Sequence, residues 1–184
     1  MPAHLTSIDG LIVVTWPQHD DDRGFFRQAA QVSEVATLLG RDVHIAQLNH
    51  SRTVPGAVRG FHAEPWDKLV FVTAGTVLAA IADIRPDSAT FGEVVTQQLG
   101  DPPGERVGLF VAAGLANAYA NIGSTDADYV YAVSEEWRPV DKQAIAFDDP
   151  DLGVDWMIAD PLVSDDDRNN PTLRDRFPDY PRWR

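Results

Sequence analysis

Between Gly56 and Val70 the chain reads GAVRGFHAEPWDKLV, a segment of strand character that nevertheless carries an arginine, a histidine, a glutamate and a lysine. Arg59 and Lys68 could hold an anion, while the His62 imidazole, neutral near pH 7 with an unperturbed pKa of about 6.5, could remove a proton. A histidine in a strand is more often structural, so this chemistry depends on whether the groups converge. Alternation along a strand would put Arg59, Phe61 and Ala63 on one face and Gly60, His62 and Glu64 on the other. Arg59 and His62 then need a bend or bulge to share a site, and Gly60 between them permits one.

A metal centre is the competing use of such residues. Clustered ligands are missing, because Ala63 follows His62 and Asn117 in FVAAGLANAYAN stands where a downstream histidine would be wanted. His62 and Glu64 alone are too few for a closed site, and no metal is expected.

The elements that must position these groups read as short apolar runs punctuated by Gly, Pro and Asp, at 11–16, 24–27, 44–48, 68–73, 76–84, 93–99, 106–112, 115–121 and 127–133. Strands at such spacing indicate a sandwich or barrel. The runs on either side of Ala74-Gly75 look like a pair joined by a tight turn. Residues 31–39 differ, with Val32, Val35, Ala36 and Leu39 at helical spacing and Gly40 as a stop. The fold class expected is all-β, a double-sheet jelly roll with minor helix. From about residue 160 the Asp-, Asn- and Pro-rich end reads as an extended, loosely ordered tail, and three adjacent aspartates there are usually a solvated surface.

Composition narrows the partners. The 184 residues, 44% hydrophobic, suffice for one domain spanning 1–184. A net charge of −13, from 28 acidic against 15 basic residues, disfavours a nucleic-acid partner. There is no cysteine for a disulfide frame, no basic leader and no apolar run near the roughly 18 residues of a membrane span. A soluble cytoplasmic protein is expected.

Five segments in order, QLNHSRTVPGAVRGFH, KLVFVTAGTVLAAIADIR, SATFGEVV, DYVYAVSEEWRP and DDPDLGVDW, resemble the dTDP-4-dehydrorhamnose 3,5-epimerase family over about residues 22–167. The resemblance implies a cupin-type jelly roll, metal-independent and cofactor-free, usually a homodimer. The implied substrate is a nucleotide-diphospho-4-keto-6-deoxyhexose whose configuration is inverted beside the ketone. It implies His62 as the base and Tyr131 as the proton donor. Asp167 is implied as the carboxylate on the base, with Asp165 and Asp166 leaving the register open. Tyr129 faces the same side as Tyr131 and competes for its place. Arg59 and Lys68 correspond to positions near the diphosphate and sugar. Arg23, Gln47 and Asn49 correspond to nucleotide-binding segments, Arg23 coming from the partner subunit in some members.

Proton removal beside a carbonyl produces an enolate, so a base, a donor facing the developing oxyanion and an acid on the opposite face are needed. His62, Lys68 and Tyr131 supply those types. Four substrate-binding positions depart from the family pattern: Asn117 replaces a usual histidine, Lys142 an acidic residue, Gln28 a glutamate and Trp137 a tyrosine. The sugar and the number of inverted centres stay open, with a single-centre epimerase or ketoisomerase, or a catalytically inactive sugar-nucleotide-binding module, as alternatives.

Overall fold

Period-two apolar patterning is satisfied by burying one sheet face against another. In the computed structural model, which describes residues 3–15, 17–29, 31–102, 104–138 and 143–181, two antiparallel sheets do so. With strands numbered along the chain, one sheet runs β1 (Ala3–Leu5), β2 (Leu11–Thr15), β10 (Val107–Val111), β7 (Lys68–Ala74), β12 (Ala127–Val133) and β5 (Gln47–Thr53). The other runs β13 (Gln143–Ala144), β6 (Val58–Ala63), β11 (Leu115–Asn121), β8 (Thr76–Asp83) and β9 (Val94–Gly100). Strands β3 (Gln18–Asp21) and β4 (Gly24–Arg27) form a separate hairpin. This is the expected double-sheet jelly roll.

Val70, Val72, Leu109 and Tyr129 from the first sheet meet Val77, Ile81, Leu115 and Tyr119 from the second to form the inner core. The outer face of the first sheet is covered by helix α1 (Val32–Leu39), where Val35 packs on Ile12, Leu69 and Phe110. Gly40 ends the helix in the left-handed conformation, as its position predicts. Strand β8 is buried along its whole length because it has core on both faces, which explains the unbroken TVLAAIA run.

Three expectations need correction. The runs flanking Ala74-Gly75 are adjacent strands but not a hairpin: β7 lies in one sheet and β8 in the other. Gly75 carries the chain across with φ 76°, and a Cβ there would come within 2.7 Å of Asp126 O and Ala127 Cα. A paired hairpin and a crossing between sheets give the same local pattern of two apolar runs and a glycine. The strand expected at 44–48 is instead Gln47–Thr53, since backbone pairing with β12 extends through the polar, alternating QLNHSRT. The tail is not loosely ordered. Trp156, Val163 and Leu173 are buried on the outer face of the second sheet, each contributing about 1.5–3 kcal/mol, and two helical turns, α2 (Asp165–Arg168) and α3 (Leu173–Arg176), follow. Trp156 and Val163 sit in irregular backbone and Leu173 in a single helical turn, too short for a period, so no strand or helix pattern reveals them.

Candidate active site

Arg59 and His62 do meet. Gly60 adopts φ 110°, the pairing of β6 with β11 shifts register between Asn117 and Tyr119, and both side chains line one cavity while Phe61 and Ala63 face the outer core. A β-carbon at residue 60 would lie 2.6 Å from the Asn117 carbonyl oxygen, so the close strand approach requires glycine. The cavity, about 260 Å³ between the two sheets, also receives Glu64, Lys68, Asn117, Tyr131 and Asp167.

Asp167 comes from the C-terminal segment. Ser164 caps α2 by accepting from the Asp167 N–H, and this turn aims the buried Asp167 carboxylate at the ring while Asp165 and Asp166 remain exposed. Asp167 Oδ1 is 2.6 Å from His62 Nε2, and its Oδ2 accepts the Gly60 N–H at 3.2 Å. A neutral His62 donating through Nε2 keeps the Nδ1 lone pair for a proton, and the carboxylate stabilises the imidazolium that results.

The two tyrosines of β12 point the same way but differ in environment. Tyr129 is fully buried, stacks on Tyr119 at 3.9 Å between centroids, and donates its hydroxyl to Asn117 Oδ1 at 3.0 Å. Burial, with the neighbouring tyrosines, holds it in the neutral form. Tyr131 is half-buried, and its hydroxyl bonds to none of the described residues. Its pKa is raised, first by burial and then by the negative charge of Glu64, so it remains a proton-bearing group. Because Asn117 Oδ1 is occupied, the amide presents Nδ2 as a donor.

Lys68, buried at the start of β7, ion-pairs with Glu64. Arg59 Nε donates to Thr53 Oγ1 at 3.0 Å; Thr53 meets the Tyr119 hydroxyl at 2.9 Å, which in turn donates to Ser51 at 3.0 Å. This chain fixes the guanidinium. The sequence reading missed Glu64, Ser51 and Tyr119 as cavity groups, and Thr53 as the hydroxyl that holds Arg59. Tyr119 was within reach, since it lies two residues from Asn117 on the same strand.

The remaining sequence-predicted positions lie apart from His62. Gln47 Nε2 donates to Asn49 at 2.6 Å, and Gln47 Oε1 accepts the Trp137 N–H at 2.9 Å, leaving the Trp137 ring 66% exposed. Asn49 pairs with Tyr131 across the strands, so this polar row continues from the cavity. Arg23, paired with Asp21 at 2.6 Å, and Gln28, which accepts from Gln31, are exposed and line no part of the cavity. Lys142 lies outside the described residues. Among the described residues no three His, Asp or Glu side chains converge as a metal-ligand set.

Residues 5–175 match the pattern of the family described as dTDP-4-dehydrorhamnose 3,5-epimerase. The chain belongs to that family. It is 33% identical over 179 residues to the dTDP-4-dehydrorhamnose 3,5-epimerase of Pseudomonas aeruginosa, covering 95% of this chain and 97% of the relative. In structure it is similar to NovW, a 4-keto-6-deoxy sugar epimerase of Streptomyces spheroides, with TM-score 0.89, 29% identity, and 95% and 88% of the two chains covered. It is also similar to ChmJ, a 3′-monoepimerase from Streptomyces bikiniensis in complex with dTDP-quinovose, with TM-score 0.87, 29% identity and coverages of 95% and 90%. The epimerase family thus includes neighbours of this chain that differ in how many centres they invert.

Proposed function

We propose that this epimerase-family chain acts on a nucleotide-diphospho-4-keto-6-deoxyhexose, with dTDP-4-dehydro-6-deoxyglucose as the expected substrate, in deoxysugar biosynthesis. The observation that carries the reading is the His62–Asp167 pair sharing one cavity with Lys68 and Tyr131. His62 Nδ1 takes the proton from a carbon beside the ketone, and the C–H electron pair moves to form the enolate. Its oxygen is stabilised by the Lys68 ammonium. Tyr131 then donates its hydroxyl proton to the opposite face of that carbon, inverting it, and both groups exchange protons with solvent before the next turnover. Arg59 holds the diphosphate, Asn117 donates to the sugar, and Gln47, Asn49 and Trp137 form the nucleotide end, where the exposed indole offers a stacking face.

No metal or cofactor enters this scheme, because protein donors stabilise the enolate. Arg23 and Gln28 complete the nucleotide site from the partner of a homodimer. Their exposed hairpin, with Phe25 and Phe26 at 59% and 67% exposure, supports that role. The acidic surface disfavours nucleic acid, no helix among the described residues is long and apolar enough to cross a membrane, and a cytoplasmic location fits a sugar-nucleotide substrate.

Asn117 favours keeping a second reading, inversion at one centre only, because it cannot shuttle a proton at neutral pH. Incubating nucleotide-linked 4-ketosugars with the protein in D₂O, followed by proton NMR, tests both. Deuterium at carbons 3 and 5 supports the two-centre reaction, and deuterium at one carbon the single-centre reaction. Tight binding without exchange would assign a binding module instead.

A further inference from the structure

The cavity is rich in hydrogen-bond donors and poor in acceptors. Arg59, Lys68, the Asn117 amide and Tyr131 all offer N–H or O–H groups, while the Asp167 carboxylate is committed to His62 and the Gly60 N–H. Glu64 is the other carboxylate lining this space. Its Oε2 is buried against the Lys68 ammonium, and no hydrogen bond from the described residues reaches Oε1. The side chain is 19% exposed, and its charge is felt at the Tyr131 hydroxyl, which places the carboxylate on the reacting side of the cavity. An ionised carboxylate with open lone pairs among donors is suited to accept from a hydroxyl of the ligand.

The geometry points to Glu64 as a specificity-determining residue that accepts the hydroxyl on carbon 3 of the substrate. This rests on the function proposed above, and the chemistry of the sugar selects the hydroxyl. A 4-keto-6-deoxyhexose linked through carbon 1 has free hydroxyls only at carbons 2 and 3. Lys68 holds Glu64 and faces the oxygen on carbon 4, so the Glu64 carboxylate lies beside a neighbour of that carbon. Carbon 5 bears a methyl group, which leaves the hydroxyl of carbon 3. Because carbon 3 is itself a centre beside the ketone, its acceptor also biases which configuration the site holds.

The test compares dTDP-4-keto-6-deoxyglucose with its 3-deoxy counterpart, reading kcat/KM for deuterium uptake beside the ketone in wild type, Glu64→Ala and Glu64→Gln. Dividing the two substrates within each enzyme cancels any general loss of Lys68 placement, and comparing that ratio between enzymes cancels their intrinsic reactivity. A hydrogen bond to a charged group corresponds to roughly 10–100-fold in that ratio. Wild type should favour the 3-hydroxyl substrate, Glu64→Ala should lose about that preference, and Glu64→Gln, whose amide oxygen still accepts, should lie between. If Glu64→Ala misfolds, a reduced ratio in Glu64→Gln carries the same conclusion. Equal ratios in folded variants and wild type overturn the assignment and leave the function intact. No exchange of either substrate by wild type overturns both.

Discussion

Asp167 Oδ1 and His62 Nε2 stand 2.6 Å apart although 105 positions separate them in the sequence. The contact exists because the C-terminal segment crosses the outer face of the second sheet and is pinned there by Trp156, Val163 and Leu173. Replacing the carboxylate should therefore damage the base without emptying the cavity. Asp167→Asn should lower kcat by about 10–100-fold with a smaller change in KM, measured by steady-state kinetics, while Asp165→Asn and Asp166→Asn stay close to wild type. Equal losses in all three variants would remove Asp167 from its place behind the base.

Gly60 places Arg59 and His62 in one cavity through a backbone conformation closed to other residues. Gly60→Ala adds strain worth about 1–3 kcal/mol at φ 110°, and its Cβ would press on the Asn117 carbonyl at 2.6 Å. A lower Tm by calorimetry and a loss of activity larger than the fraction unfolded should appear together. Unchanged kinetics would mean that the bend is not needed.

Much of this was legible from residue types. The alternating runs gave the two sheets, the 3.6-residue spacing gave α1, and the demand for a bend at Gly60 followed from strand geometry alone. The change of sheet at Gly75 was not legible, because two apolar runs around a glycine do not reveal whether their strands pair. Nor could spacing choose among Asp165, Asp166 and Asp167. That choice depends on the Ser164 cap and on packing contacts far away in the chain. Glu64 looked like an incomplete metal ligand because its partner, Lys68, becomes visible only when the loop between β6 and β7 folds the two together.

Acid stability should depend on Asp83, whose carboxylate is fully buried at the end of β8. Burial pushes its pKa up, but hydrogen bonds from Arg85, Ser88 and Thr90 outweigh this and hold it at about 2, against 3.8 when unperturbed. The folded value is the lower one, so the stabilisation is complete above about pH 4 and is lost as pH falls toward 2. It amounts to about 2 kcal/mol. Thermal melts from pH 5 to 2 should show that loss in wild type, and Asp83→Asn should be less stable at pH 7 with a shallower decline on acidification.

Dialysis against EDTA should leave turnover unchanged, since in the proposed mechanism Lys68 and the hydrogen-bond donors of the cavity stabilise the enolate oxygen. Loss of activity restored by a single divalent metal would overturn the proposed mechanism.

The central claim is that His62 takes the proton and Tyr131 returns it. Deuterium uptake from D₂O into dTDP-4-keto-6-deoxyglucose, followed by proton NMR in wild type, His62→Ala and Tyr131→Phe, tests it most directly. The wild type should exchange, and His62→Ala should fall by at least about 10²-fold. Tyr131→Phe should retain exchange at the abstracted position while forming little inverted product. Wild-type exchange in His62→Ala would contradict the account.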